Sequence, residues 1–165
     1  MSPYVAYLDL TEPVELPDNT TLRLMNSADL PAVVALEQQN ALTPWSLRSF
    51  ELSLNTKQAN WVVYFEATLV GFICANIIVD ELHILNLSVA QEYRGQGLAT
   101  ALIMQLCRAV KDVPIRVIYL EVRQSNKVAQ KLYRKLGFSL DGVRKGYYQG
   151  ERGIREDALL MSRDF

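Results

Sequence analysis

Between the apolar run ELHILNLSV (residues 81–89) and a helical stripe beginning at Leu98 lies the turn Arg94-Gly95-Gln96-Gly97. The stripe continues through Ala101, Leu102, Leu106, Ala109 and Val110, which predicts an amphipathic helix directly after a strand. The first amides of a helix have no partner inside it. A glycine-rich turn at that point can therefore aim several N–H groups at one anion, and the helix dipole adds to the field. Arg94 can add a charge-assisted contact. The same glycines also suit a turn that exists for geometry alone, and the pattern by itself leaves both readings open. The spacing lacks the third glycine of the dinucleotide fingerprint and the Gly-Lys-Ser/Thr of a P-loop, which argues against dinucleotide and ATP chemistry.

Short elements surround this unit. TLRLM from Thr20 alternates as a strand, and Asn26 or Ser27 can cap a helix that Asp29 begins, with Leu30, Val33, Val34 and Leu36 as its stripe. After a break at residues 40–44, Ser46 starts a short helix carrying Leu47, Phe50 and Leu54. WVVYF and LVGFICANII, separated by EAT, read as two strands whose short turn argues for antiparallel pairing. Pro114 introduces a strand over residues 115–121. Ser125 is placed to cap a helix through Val128, Ala129, Leu132, Tyr133 and Leu136, and Gly137 to end it in a left-handed cap. Residues 138–143 and 157–161 read as closing strands around a polar loop, GYYQGERGIRE.

This order predicts an α/β chain of mixed α+β character, its sheet largely antiparallel and partly parallel, rather than a doubly wound sheet. A length of 165 residues suits one domain, and Pro3, Pro13 and Pro17 set residues 1–19 apart as an arm before a domain at 20–165.

Several function classes are excluded. A net charge of -1 gives no general attraction to nucleic acid or to anionic membrane. No apolar run approaches the roughly 20 residues that span a bilayer, and the start lacks a signal-peptide pattern, so a cytoplasmic chain is expected. One histidine and two cysteines without ligand spacing leave no metal site, and Cys74 and Cys107 read as buried thiols. No long exposed apolar edge is evident, and a monomer is expected.

Glu121 and Tyr133 carry the chemistry most open to interpretation. Glu121 follows the apolar run VIYL at the end of a strand, where a carboxylate can be partly desolvated and tuned for proton transfer; a salt-bridge partner is the plainer alternative. Tyr133 lies on its helix's apolar stripe, where a core aromatic with a hydrogen-bonded hydroxyl is the ordinary role.

The stretch RGQGLA, with Arg94, Gly97 and Ala99 at the marked positions, resembles the coenzyme A loop of the GCN5-related N-acetyltransferases. The resemblance runs over nearly all of residues 20–161. It implies a central, mostly antiparallel twisted sheet, splayed between strands four and five and flanked by helices. It implies acetyl-coenzyme A as cosubstrate, its pyrophosphate on the amides of Gly95, Gln96, Gly97, Leu98, Ala99 and Thr100 with Arg94 beside them. The pantetheine arm would follow Leu87, Ser88 and Val89, a backbone N–H near Val89 would polarise the thioester carbonyl, and Asn126 in RQSN would contact the coenzyme. Glu121 in LEVR matches the family's general base, and Tyr133 in the segment LYRKLGF matches the acid that protonates the departing sulfur.

Those segments, with TPWS and with GYY ahead of REDALLM, are most similar to the branch of the family that acetylates the N-terminal alanine of a small-subunit ribosomal protein. The partner implied is thus a ribosomal protein's N-terminal peptide, met in a ternary complex without a covalent enzyme intermediate. That branch places Pro44, Trp45, Tyr147 and Tyr148 along the peptide groove; packing is the plainer role for a tryptophan after proline. Asp80, Glu81, Glu151, Glu156 and Asp157 can lend the groove a negative rim, which Arg144, Lys145, Arg152 and Arg155 can cancel. A small-molecule amine is the alternative acceptor. The last loop is about a residue longer than the branch's usual one, a difference near the acceptor rather than the cofactor.

Overall fold

In the computed structural model, which describes residues 8–56 and 59–165, the chain forms seven strands and four α-helices. The strands are β1 (Thr20–Leu24), β2 (Asn60–Phe65), β3 (Thr68–Ile78), β4 (Glu81–Val89), β5 (Val117–Arg123), β6 (Ser139–Gln149) and β7 (Arg155–Asp164). The helices are α1 (Leu30–Asn40), α2 (Leu47–Ser53), α3 (Leu98–Ala109) and α4 (Lys127–Lys135). One sheet holds all the strands in the order β1-β2-β3-β4-β5-β7-β6, and only the β4–β5 pair is parallel.

Helices cover both faces of the sheet. Leu98, Leu102, Ile103 and Leu106 of α3 bury against Val63, Ile73 and Leu82 together with Leu136 and Phe138. On the other side Leu30, Val33 and Leu36 of α1, with Phe50 of α2, pack on Val62, Phe72 and Cys74. Each such side chain contributes about 1.5–3 kcal/mol when fully removed from water. Asn26 rather than Ser27 caps the first helical turn, in a reciprocal box with Asp29, and Ser46 caps α2. Leu47 is exposed, so the stripe expected for the second helix reduces to Phe50 and Leu54.

The parallel pairing positions the site. It runs only from Glu81–Val117 to Ile84–Leu120. Opposite β3 the register passes from Asn86–Cys74 to Ile84–Ala75, which leaves Leu85 as an extra residue in β4. A bulge bends its strand, and here the bend falls where β4 parts from β5. Past Ile84, β4 continues against β3 alone, while β5 continues against β7 as far as Arg123–Ala158. The expected splay between strands four and five is present.

Three boundaries differ from expectation. Strand β5 begins two residues later, at Val117, and Asn126 rather than Ser125 caps α4, its Oδ1 accepting the Ala129 N–H at 3.1 Å. The amide of Ser125 is turned outward to donate to Glu156. The expected polar loop is about half strand: β6 runs into it as far as Gln149 and β7 starts at Arg155, with a 3-10 turn at Glu151–Gly153 between them, and Tyr147 and Tyr148 belong to β6. This hairpin lies at the sheet edge with most of β6 exposed, so backbone pairing holds it and apolar alternation does not mark it. Of the arm's described residues, Leu10 is buried and Val14 rests on the core. Residues 1–7 of the expected arm lie outside the described residues.

Candidate active site

Two clefts open where the strands part. The first, of about 590 Å³, lies over the turn before α3 and is lined by Ser88, Val89, Arg94, Gly95, Gly97, Leu98, Ala99 and Thr100, among others. The second, of about 580 Å³, is lined by Thr43, Trp45, Leu85, Glu121, Arg123, Tyr148 and Glu156, among others. They share a floor of Glu37, Asn40, Ala41, Asn86, Leu87, Asn126 and Tyr133.

The first cleft has the chemistry of an anion cradle. Gly95 and Gly97 adopt φ of +75° and +83°, a left-handed backbone that disfavours any side chain. Gly97 is the N-cap of α3 and offers no side chain to the amides that follow, so the first turn keeps its donors for a ligand. A β-carbon at Gly95 or Gly97 would meet no atom within 4 Å, so the turn is open on that side. These features fit a diphosphate. Arg94 is turned back along the strand, its Nε donating to the Val89 carbonyl at 3.0 Å, so it braces the turn as well as adding charge.

A polar network fixes the splayed strand. Asn40 donates to Ser88 Oγ at 2.7 Å and to the Val89 carbonyl at 3.0 Å. Glu37, only 3% exposed, accepts from the Trp45 amide and from Asn86 Nδ2, both at 3.1 Å. The end of α1 thereby joins β4 to the connection that carries Trp45. Sequence reasoning missed Glu37, Asn40 and Asn86, because bonds across 48 or 49 residues leave no local pattern.

Tyr133 is 7% exposed and packs edge-on to Phe138, with ring centroids 5.9 Å apart. Burial, aided by the neighbouring Tyr148, pushes its hydroxyl up to about 12. The phenol therefore keeps its proton at neutral pH. Tyr148 is pushed up to about 12 as well, by burial first and then by the charge of Glu121. Its ring stacks edge-on with Tyr147 at 5.0 Å. A bulge in β6 sets both: residues 145–147 oppose only Asp157, which accepts from Lys145 Nζ at 2.9 Å and the Gly146 amide at 2.8 Å.

Glu121 pairs with Leu160 across the β5–β7 ladder, and its side chain is 31% exposed on the floor of the second cleft. Arg144 Nη1 contacts it at 3.1 Å. Most acids expected at the rim are paired too: Glu156 with Arg123, Asp157 with Lys145, Asp80 with Arg116 and Glu81 with His83. Only Glu151 and Glu156 of that group line the cleft. Gln96, Pro44 and Tyr147 sit beside the clefts without lining either. Among the described residues no cluster of ligating side chains could hold a metal ion, and no helix is long and apolar enough to cross a membrane. Both cysteines are buried, their thiols pushed up to about 12 by burial, which leaves no activated sulfur near the clefts.

Residues 25–138 match the family model described as the acetyltransferase (GNAT) family. A relative from Escherichia coli, the ribosomal protein bS18-alanine N-acetyltransferase, is 32% identical over 142 residues, covering 86% of this chain and 95% of its own. The crystal structure of the ribosomal-protein-S18-alanine N-acetyltransferase from that organism superposes with a TM-score of 0.81 at 31% identity, covering 88% of this chain and 93% of that one. Arabidopsis thaliana NAA60 in complex with acetyl-CoA shares the fold, with a TM-score of 0.78 at 22% identity over 88% of this chain and 99% of its own.

Proposed function

The chain belongs to the GNAT family of acetyltransferases, and from that membership we propose that it acetylates the N-terminal alanine of a small-subunit ribosomal protein. The carrying observation is the meeting of two clefts at Tyr133, Asn126 and Leu87, one shaped for a diphosphate and the other open to a chain end. The similarity to the ribosomal-protein enzyme of E. coli supports the acceptor.

Acetyl-CoA would supply the acetyl group as a thioester. The amides from Gly95 to Thr100, with Arg94, would hold its diphosphate, and the free edge of β4 at Leu87–Val89 would run beside its pantetheine arm. Asn126, beyond its capping bond to Ala129, lines both clefts and can contact that arm. An N–H near Val89 would face the developing charge on the carbonyl oxygen.

An α-amino group of pKa about 8 is mostly ammonium at neutral pH and must lose a proton before it can attack. Glu121, on the floor of the acceptor cleft, receives that proton directly or through water. Tyr133 holds its own proton at Oη, shielded from solvent, and delivers it to the sulfur as the C–S bond breaks; the second proton shed by the nitrogen as the amide forms replaces it. Proton transfers of opposite direction require a base and an acid on opposite sides of the reacting carbon, and these two residues would fill those places. Proximity supplies the remainder, with both reactants bound together and no covalent enzyme intermediate. Trp45 and Tyr148, as walls of the cleft, would flank the first residues of the peptide, with Pro44 and Tyr147 behind them.

The test offers acetyl-CoA with peptides beginning Ala, Ser or Met and with small amines, and follows acetylation by mass. The peptide beginning with alanine is modified fastest, on its α-amino group. Turnover of a small amine with every peptide left unmodified would replace this acceptor with the small-molecule one.

A further inference from the structure

Arg123 closes β5 with its guanidinium laid between the two walls of the acceptor cleft, and we propose that it is the positioning residue that sets the cleft's width. On one side its Nη2 donates to Thr43 Oγ1 at 3.3 Å, in the connection between α1 and α2. On the other, Nη1 donates to the Gln149 carbonyl at 3.1 Å and pairs with Glu156 at 3.2 Å. The guanidinium carbon stands 4.4 Å from the centre of the Tyr148 ring. Thr43, Tyr148 and Glu156 all line the cleft. Among the described residues no other hydrogen bond joins residues 41–46 to residues 147–156.

The residue type suits the task. A planar fork can donate in several directions while its face rests on an aromatic ring, which a lysine ammonium cannot do. Arg123 and Glu156 are each 22% exposed, so their pairing is partly shielded from the water and salt that weaken an open surface pair. Glu156 also accepts from the Ser125 amide at 2.6 Å, which extends the tie to the start of α4 beside Asn126. A peptide seated between Trp45 and Tyr148 thus meets walls whose separation depends on Arg123. Reacting atoms must approach within about 3–3.5 Å, and about 1 Å of misplacement can cost roughly 100-fold in rate.

The kinetic arm of the test rests on the acetyl-transfer reading; the exchange arm does not. Arg123→Lys keeps the charge and loses the fork, whereas Thr43→Val removes only the bond across the cleft. In ligand-free protein, amide exchange should quicken by roughly 3–10-fold in both 41–46 and 147–156 for Arg123→Lys, and in 41–46 for Thr43→Val. The KM for an alanine peptide should rise about 10-fold and about 3-fold respectively, with the KM for acetyl-CoA changed less than about 2-fold. Exchange confined to 147–156 in Arg123→Lys, or a Thr43→Val protein matching wild type in both readouts, would overturn the tie and leave Arg123 as a brace of the hairpin alone. A wild-type protein that acetylates no peptide would strike the proposed function, and the exchange result would still decide the tie.

Discussion

Glu121 Oε1 lies 3.1 Å from Arg144 Nη1, so the carboxylate assigned the proton-accepting role also anchors an arginine of β6. Arg144 is half exposed and stands 4.6 Å from the centre of the Tyr147 ring, so its pairing with Glu121 is largely open to solvent. Exposed pairs contribute about 0–1 kcal/mol, whereas a positioned general base contributes roughly 100-fold or more to rate.

Substitution separates the two roles. Glu121→Gln should lower kcat by roughly 100-fold, most at neutral pH, with acetyl-CoA affinity unchanged. Arg144→Ala should change kcat by less than about 5-fold. Steady-state rates across pH check both; a Glu121→Gln enzyme with wild-type rates at every pH would remove Glu121 as base.

Tyr133→Phe should lower kcat by roughly 100-fold while the fold persists, because the ring fills the same space and only the hydroxyl, with its proton, is lost. A circular dichroism melt alongside turnover checks this. An unchanged rate would return Tyr133 to the core as a packing residue.

Two phenols and two thiols, shielded wholly or partly by the fold, should limit alkaline stability. Tyr133 and Tyr148 rise from 10.0 to about 12, and Cys74 and Cys107 from 9.0 to about 12, each chiefly through burial. All four are neutral in the fold and ionise more readily when unfolded. Their contribution is therefore complete below pH 9 and lost as pH rises through about 12. Melting temperature should hold to about pH 9 and then fall, and Tyr133→Phe should fall less steeply than wild type.

Gly97→Ala should weaken acetyl-CoA binding roughly 10-fold, because the left-handed backbone that aims the first amides of α3 costs an alanine about 1–2 kcal/mol. The peptide KM should stay within about 2-fold. Calorimetric titration with acetyl-CoA checks the first and initial rates the second.

The cofactor half of the site was more legible than the acceptor half, for a physical reason. The cradle is local: a strand, Arg94 to Gly97 and the stripe from Leu98 follow one another within one stretch of chain. Glu121 and Tyr133 sit on neighbouring elements whose periodicity is plain. Glu37, Asn40 and Asn86 meet only after α1 folds onto β4, and nothing near any of them announces the other two. The inner part of the β6–β7 hairpin, residues 146–156, reads as loop because its glycines and charged residues break any apolar alternation. Its strands owe their order to pairing and to ties such as Asp157 to Gly146. Ser125 suits the cap of α4 by residue type and position, yet its amide serves Glu156 and the cap falls to Asn126.

The most direct measurement is a crystal structure of the protein with coenzyme A joined covalently to a peptide beginning with alanine. The diphosphate should lie on the amides from Gly95 to Thr100 and the pantetheine arm along Leu87–Val89, with the alanine nitrogen facing Glu121 and the sulfur facing Tyr133. A diphosphate bound away from that turn, or a peptide running outside the space between Trp45 and Tyr148, would contradict the account.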